Sequence, residues 1–343
     1  MAPDTARPAT KGAANPVSST WTNRTELTPI PGLVGTLELR WINARSLQNN
    51  PMGDPWVRPI LTLTPSPGDA QPFRTLYVLH GSTVGIETWF DNHGETIRTI
   101  DRINTELADP YLVVFPDAQT SVGGSQYFDS PAIGNYLTYI TTDVVDHIDS
   151  TLPTIRSREA RAIIGHSSGG LGAFNAATHH TQRFSRLGMM SADAMFEGVH
   201  LSSALAATRR QGATETADIG SELHQDHAIA DQIMLAYAYS AVASPQFLVD
   251  PTTGLSDQPT WQRWLTFDPV RRVDFCHQEL RQLHRIHLAA GTADPTYSDL
   301  GARALMLAMQ RHNIAASLNL TATDHSIRGT LQQCVKAIIT DLV

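Results

Sequence analysis

The sequence is poor in cysteine and has no long apolar run, and each shortage excludes a class of protein. Its 343 residues include only two cysteines, Cys276 and Cys334, which are too few for a disulfide framework and match no C-x-x-C metal or redox spacing. We therefore expect free thiols. No apolar run approaches the ~20 residues that a transmembrane helix needs, so we expect no membrane partner.

An excess of positive charge is also missing. The chain has 25 basic and 33 acidic residues, a net charge of −8, and Lys11 and Lys336 are its only lysines. Nucleic acid is therefore not an expected partner. Residues 1–25 are rich in small and polar residues without an apolar segment, which predicts a disordered tail and a cytoplasmic protein. Residues 26–343 are predicted to form a single domain, and a homo-oligomer remains open.

One stretch carries a recognisable chemical motif. Gly165, Ser167 and Gly169 fit the G-x-S-x-G nucleophile elbow, in which a strained turn between a strand and a helix exposes the serine hydroxyl. The motif alone is weak, because it occurs by chance in roughly one chain in ten of this length. An apolar run over 161–164 precedes it and an alanine-rich run follows, so strand, turn and helix are all predicted.

The remaining pattern indicates a mostly parallel sheet with helices on both faces. Short apolar runs alternate with amphipathic segments, as in α/β proteins. An apolar stripe in one of these segments predicts a helix: Ile133, Leu137, Ile140, Val144, Ile148 and Leu152. Eight strands are predicted, the first two as an antiparallel entry: Leu33–Trp41, Val57–Thr64, Thr75–Leu79, Tyr111–Phe115, Arg161–Ile164, Leu187–Met190, Ile286–Ala290 and Ser317–Thr321.

The alternation lapses over about residues 196–268. This segment favours helix, and a structureless loop of that length would be abnormal. We therefore predict a helical cap inserted after the sixth strand. The predicted fold is then that of an α/β hydrolase, in which nucleophile, acid and histidine follow one another along the chain.

Two further residues complete that order. Asp294 follows the seventh predicted strand and His325 the eighth. Asp193, after the sixth strand, is a rival for the acid, although it opens the cap segment and could instead cap a helix. We favour Asp294, which follows a glycine turn.

The chain resembles the esterase family of the α/β-hydrolase superfamily, the group that contains S-formylglutathione hydrolases, enterochelin esterases and mycolyltransferases. The resemblance implies a serine esterase and places the acid in a Gly-Thr-x-Asp setting. It departs from the pattern before His325, where Thr323-Asp324 stands in place of a lead such as Asp-Gly. The motifs that carry it span about residue 43 to the C-terminus: Asn50–Pro55, Leu79–Gly81, Gly123–Tyr127, Gly134–Tyr136, the elbow, Trp264–Val270 and Gly291–Asp294.

These residues supply the parts of a catalytic triad. Ser167 would be the nucleophile, His325 its base and Asp294 the carboxylate that orients the base. In this fold the oxyanion is bound by backbone N–H groups, here expected at Ser82 and Ser168. Neither a cofactor nor a metal is required.

The other polar and aromatic candidates have competing interpretations. His224 and His227, beside Glu222 and Asp226, could share a helix face and hold a metal, but a polar surface is the favoured interpretation. Six residues are predicted to line the substrate pocket, although core packing would explain each equally well: Trp89, Tyr127, Asp129, Tyr136, Trp261 and Trp264.

The leading functional hypothesis is a serine hydrolase that cleaves a small carboxylic ester or thioester through an acyl-enzyme. The same triad could serve an acyltransferase or a biosynthetic thioesterase or cyclase, since only the second nucleophile differs. A non-catalytic receptor is a third hypothesis. The complete triad argues against it, because a receptor has no need of all three groups.

Overall fold

The predicted strands form one eight-stranded sheet in the computed structural model, which describes residues 27, 29–66, 72–211, 227–250 and 253–340. The predicted tail and the His224 half of the proposed metal pair lie outside these residues. The strands are β1 (Thr36–Asn43), β2 (Val57–Thr64), β3 (Arg74–Leu79), β4 (Tyr111–Pro116), β5 (Arg161–His166), β6 (Arg186–Met190), β7 (Arg285–Gly291) and β8 (Ser317–Thr321).

The sheet has the order β1-β2-β4-β3-β5-β6-β7-β8. Strand β2 is antiparallel to both of its neighbours, and every other pairing is parallel. The predicted antiparallel entry and parallel body are therefore confirmed. Because β3 and β5 to β8 run in one direction, the loops that follow them meet at one edge of the sheet.

The helices flank this sheet. They are α1 (Asp91–Thr105), α2 (Tyr136–Thr138, the π-helical Tyr139–Val144 and Val145–Thr151), α3 (Ser168–His179), α4 (Ser202–Gln211), α5 (His227–Ala238), α6 (Gln258–Leu265), α7 (Pro269–Arg281), α8 (Ser298–Arg311) and α9 (Arg328–Ile339). Among the described helices, none is long and apolar enough to cross a membrane.

Two apolar clusters cover the two faces of the sheet. Successive residues of β4 alternate between them: Leu112 and Val114 join the cluster on the α2 and α3 face, and Val113 and Phe115 join the cluster on the α1 and α9 face. All six β4 residues are buried, as expected for a strand covered on both sides. The predicted stripe on α2 faces the first cluster.

The described part of the segment between β6 and β7 is mostly helical, with irregular chain over 239–250 and 253–257 between α5 and α6. It contains the π-helical Glu197–Leu201 and helices α4, α5, α6 and α7. Helix α5 contributes Met234 and Leu235 to the first apolar cluster, and α6 contributes Trp264. The predicted cap helices thus share a continuous core with the sheet.

Both cysteines are buried and unpaired, as the sequence predicted. Cys334 lies on α9, where its sulfur faces β6 across Gly188. A Cβ atom at Gly188 would lie 2.6 Å from Cys334 Sγ and 2.7 Å from Ile164 Cγ2. Since core atoms do not approach so closely, glycine is required there for α9 to pack on the sheet.

We predict that Gly188→Ala lowers the free energy of unfolding by about 1–3 kcal/mol, because the added methyl group overpacks this contact. Gly124→Ala is the matched control, since its Cβ would meet its nearest neighbour at an ordinary 3.6 Å. Its effect should stay within about 0.5 kcal/mol. Urea unfolding followed by circular dichroism measures both, and equal destabilisation by the two substitutions would contradict the packing argument.

Candidate active site

Ser167 occupies the sharp turn between β5 and α3. Its backbone has φ = 56° and ψ = −125°, a region that side-chain-bearing residues rarely adopt. The turn is held because Ser167 N–H donates to Met190 O (2.9 Å) and Gly170 N–H donates to Ser167 O (2.8 Å). The residue is 9% exposed. The elbow that the motif predicted is therefore present in the backbone.

The two flanking glycines are required by the close approach of strand and helix. A Cβ atom at Gly165 would lie 2.0 Å from Gly169 O, and one at Gly169 would lie 2.4 Å from Leu79 O. In both cases the obstacle is backbone, which cannot turn aside as a side chain can. The two glycines of the motif are therefore required sterically by the turn.

His325 joins the other two predicted residues. Its Nε2 lies 3.0 Å from Ser167 Oγ, and its Nδ1 lies 2.6 Å from Asp294 Oδ2. Asp294 follows β7 and His325 follows β8, so parallel neighbouring strands deliver them to the edge where β5 delivers the serine. The rival carboxylate Asp193 does not contact His325. It accepts hydrogen bonds from Ser168 Oγ (3.0 Å) and Gln126 Nε2 (3.1 Å).

The Asp294 carboxylate is held ionised by its neighbours. Its burial raises its pKa, but hydrogen bonds from His325, Ser298 and Thr296 more than offset this and leave the pKa well below its usual value. Thr296 donates both its backbone N–H (2.8 Å) and its hydroxyl (2.7 Å) to Oδ1, and the Ser298 hydroxyl donates to Oδ2. The sequence analysis missed these two supporting residues, which follow Asp294 closely along the chain.

The same contact sets the basicity of His325. Burial lowers the pKa of the imidazole, but the hydrogen bond to Asp294 and the charge of that carboxylate outweigh burial and raise the pKa above 6.5. Asp193 contributes a further negative charge. An imidazole stabilised in its protonated form is suited to accepting a proton from a serine hydroxyl.

His166, the residue before the nucleophile, supports the histidine loop. Its Nε2 lies 2.7 Å from the backbone carbonyl oxygen of His325, and the two rings are 4.9 Å apart. Burial and the nearby charge of His325 lower the pKa of His166 to about 3. The ring is therefore neutral near pH 7, and its Nε2–H donates to the carbonyl. The elbow motif leaves this position unspecified, so the motif gave no signal for it.

The two predicted oxyanion-binding residues lie on either side of the nucleophile. Ser168 is the first residue of α3, where backbone N–H groups have no acceptor within the helix. Ser82 lies in the loop after β3, next to Gly81, whose Cβ position is 3.4 Å from Ser167 Cβ. Both serines line the same cavity as Ser167.

That cavity has a volume of about 530 Å³ and lies between the sheet edge and the cap. Trp89, one of the six residues predicted to line the substrate pocket, lines this cavity and is 2% exposed. Several other lining residues were not predicted from the sequence. Gln126 is one of them, and the cap supplies four more: Val199, His200, Asp231 and Met234. Asp231 of α5 accepts a hydrogen bond from the Ser82 hydroxyl (2.8 Å), which ties the cap to the loop after β3.

The two tyrosines predicted to line the substrate pocket make buried contacts away from the cavity. The Tyr127 hydroxyl donates to His80 O (2.8 Å), and its ring fills the space over Gly172. Tyr136 is fully buried, and its hydroxyl lies 3.4 Å from Asp54 Oδ2. The cavity lining does not include either residue. Their contact with a substrate stays a prediction, which this cavity lining does not support.

The other three residues predicted to line the pocket also make their contacts outside the cavity. Asp129 is exposed and accepts hydrogen bonds from the Thr138 N–H (3.0 Å) and hydroxyl (2.6 Å). Trp261 and Trp264 belong to the apolar core, where Trp264 packs edge-on against Tyr239 at 5.2 Å. Core packing was the competing interpretation for these tryptophans, and their burial favours it.

A metal site is not evident in the part of the chain that the structure describes. No group of three or more His, Cys, Asp or Glu side chains there could hold a metal ion. His224 lies outside the described residues, so the predicted metal alternative cannot be placed.

Comparison with solved structures shows the same fold in several other proteins. The S-formylglutathione hydrolase of Agrobacterium tumefaciens has a TM-score of 0.56 at 16% identity, covering 88% of this chain and 92% of its own. MPT51 of Mycobacterium tuberculosis has a TM-score of 0.55 at 17% identity, with 88% and 99% covered. The ferulic acid esterase AmCE1/Fae1A of Anaeromyces mucronatus has a TM-score of 0.55 at 12% identity, with 91% and 93% covered.

A sequence family described as "Putative esterase" matches residues 56–330. The match includes seven of the eight strands, the elbow and the positions of Asp294 and His325. It extends over far more than half of the chain. The chain, which has an α/β-hydrolase fold, therefore belongs to this esterase family.

Proposed function

We propose that the protein hydrolyses a small carboxylic ester through an acyl-enzyme formed on Ser167. The observation that carries this proposal is the position of His325, whose two ring nitrogens contact Ser167 Oγ at 3.0 Å and Asp294 Oδ2 at 2.6 Å. A neutral imidazole in this arrangement has its proton on Nδ1, toward the carboxylate, and a free electron pair on Nε2, toward the hydroxyl.

In the first half-reaction Ser167 Oγ attacks the ester carbonyl carbon while His325 Nε2 takes the hydroxyl proton. The resulting oxyanion is stabilised by the backbone N–H groups of Ser82 and Ser168, each contributing about 3 kcal/mol in such sites. The imidazolium then gives its proton to the departing alkoxide, which leaves as an alcohol. Asp294 keeps the tautomer correct and stabilises the imidazolium throughout.

In the second half-reaction water replaces the alcohol. His325 Nε2 takes a proton from water as the water oxygen attacks the acyl carbon. When the second tetrahedral intermediate collapses, the imidazolium gives this proton to Ser167 Oγ, which releases the acid and restores the serine hydroxyl. The cavity of about 530 Å³ suits a small-molecule ester. A cytoplasmic location, suggested by the composition, is part of this proposal.

We predict that a fluorophosphonate labels Ser167 and that Ser167→Ala abolishes both labelling and turnover. Loss of a triad nucleophile lowers turnover by about a million-fold in well-studied enzymes. Mass spectrometry of the labelled peptide locates the adduct. Labelling that persists in Ser167→Ala would assign the nucleophile to another residue.

We predict that Asp294→Asn lowers kcat on a neutral ester by about four orders of magnitude, because the amide favours the wrong tautomer of His325. Asp193→Asn is the matched control, since it removes the same charge without touching His325, and its effect should be far smaller. Steady-state kinetics on folded variants gives both values. The reverse ranking would place the acid after β6.

The pH dependence follows from the raised pKa of His325. The base must be neutral in the free enzyme, so kcat/KM falls as pH drops through this pKa. Because the pKa lies above the ordinary histidine value of 6.5, we expect the acidic limb of the pH–rate profile to have its midpoint above pH 6.5. A midpoint at or below 6.5 would contradict the role assigned to the Asp294 contact.

A further inference from the structure

Two acceptor oxygens beside the nucleophile have no hydrogen-bond partner among the described residues. Gln126 and Asp193 line the cavity and are only 1% and 4% exposed. Gln126 Nε2 donates to Asp193 Oδ2, an oxygen that also accepts from Ser168 Oγ. Within the described part of the chain, no hydrogen bond reaches Gln126 Oε1 or Asp193 Oδ1.

The orientation of the Gln126 amide follows from its contact with the carboxylate. A carboxylate accepts only, so the amide must present its NH₂ group to Asp193, and its oxygen is left as a second acceptor. The pair therefore offers acceptors without offering a donor. Asp193 backbone N–H lies 3.4 Å from Ser167 O, which places the pair directly beside the elbow.

The charge of Asp193 has no lysine or arginine partner among the described residues, and it acts on His325 only through the field that helps to raise the pKa of that imidazole. It forms no ion pair there, and no lysine or arginine lines the described part of the cavity. His200, which lines the cavity near it, has its pKa lowered to about 4 by burial and is neutral at pH 7. A buried carboxylate without a cation is unfavourable. It also opposes the negative charge that develops on the oxyanion.

We propose that Gln126 Oε1 and Asp193 form a subsite for a hydrogen-bond donor group that the ester carries near its carbonyl group. Among such groups, a protonated amine fits this subsite best. This inference rests on the proposed esterase function and narrows its substrate class. An ammonium group supplies both the donors that the two oxygens lack and the positive charge that Asp193 lacks. A hydroxyl group supplies one donor only.

The test uses esters that differ in one group. Four nitrophenyl esters of equal acyl length end in methyl, hydroxyl, ammonium or carboxylate, and a second set carries the same groups on the alcohol side. We expect kcat/KM to follow the order ammonium, hydroxyl, methyl, carboxylate in at least one set. The ammonium ester should exceed the methyl ester by about tenfold or more, as for hydrogen bonds to charged groups.

The variants are judged by the ratio of two substrates within one protein, so that a change in folded fraction cancels. Asp193→Asn should lower the ammonium-to-methyl ratio by about tenfold, and Gln126→Met should lower it less. Asp109→Asn is the matched control, because it removes a carboxylate whose side chain is 75% exposed before β4, at the opposite edge of the sheet. Its ratio should equal that of the unaltered protein.

Two outcomes would overturn the subsite. One is equal kcat/KM for the methyl and ammonium esters in both sets, which would indicate that water alone meets the two oxygens. The other is an unchanged ammonium-to-methyl ratio in Asp193→Asn. If that unchanged ratio comes with an equal loss of kcat/KM for all esters, Asp193 acts instead by stabilising the His325 cation. A failure to hydrolyse any ester would instead overturn the proposed function and this inference with it.

Discussion

The site depends on the contact between β5 and α3, where strand and helix meet with no side chain between them. A Cβ atom on Gly165 would lie 2.0 Å from Gly169 O of α3, and one on Gly169 would lie 2.4 Å from Leu79 O at the end of β3. That contact forces the chain to turn within one residue, which gives Ser167 its positive φ and lifts its hydroxyl above the sheet edge. The strain at Ser167 is tolerated because β6, through Met190 O, fixes the same residue by a hydrogen bond.

Around that turn, burial and hydrogen bonding act in opposite directions on the titratable groups. Burial alone would neutralise Asp294 and His325, but their contact and the hydroxyl donors of Thr296 and Ser298 keep the carboxylate ionised and the imidazole basic. His166 has no such carboxylate contact, so burial and the His325 charge dominate and it stays neutral. Two adjacent histidine rings therefore differ in basicity, and the neutral ring of His166 donates the hydrogen bond that holds the His325 loop.

The cap gives the cavity its own chemistry. Helix α5 places Asp231 against Ser82 and adds Met234 to the cavity lining, while α6 is occupied with core packing through Trp264. The proposed donor subsite faces this cavity from the sheet side. The strand ends thus hold the three triad candidates, while the loops and the cap shape the space around them.

The sequence determined the eight strands, their parallel body and the elbow, because these depend on local apolar runs and on glycines that no other residue can replace. It also predicted the order of Ser167, Asp294 and His325, and the structure brings those three side chains together. Their catalytic roles remain predictions. Only the tertiary structure decided that Trp89 faces the cavity while Trp264 fills the core. Both side chains are large and apolar, and the residue type alone does not specify which way a side chain points. The sequence favoured Asp294 over Asp193 from its setting after a glycine turn, and the tertiary structure showed which of the two carboxylates the His325 loop reaches.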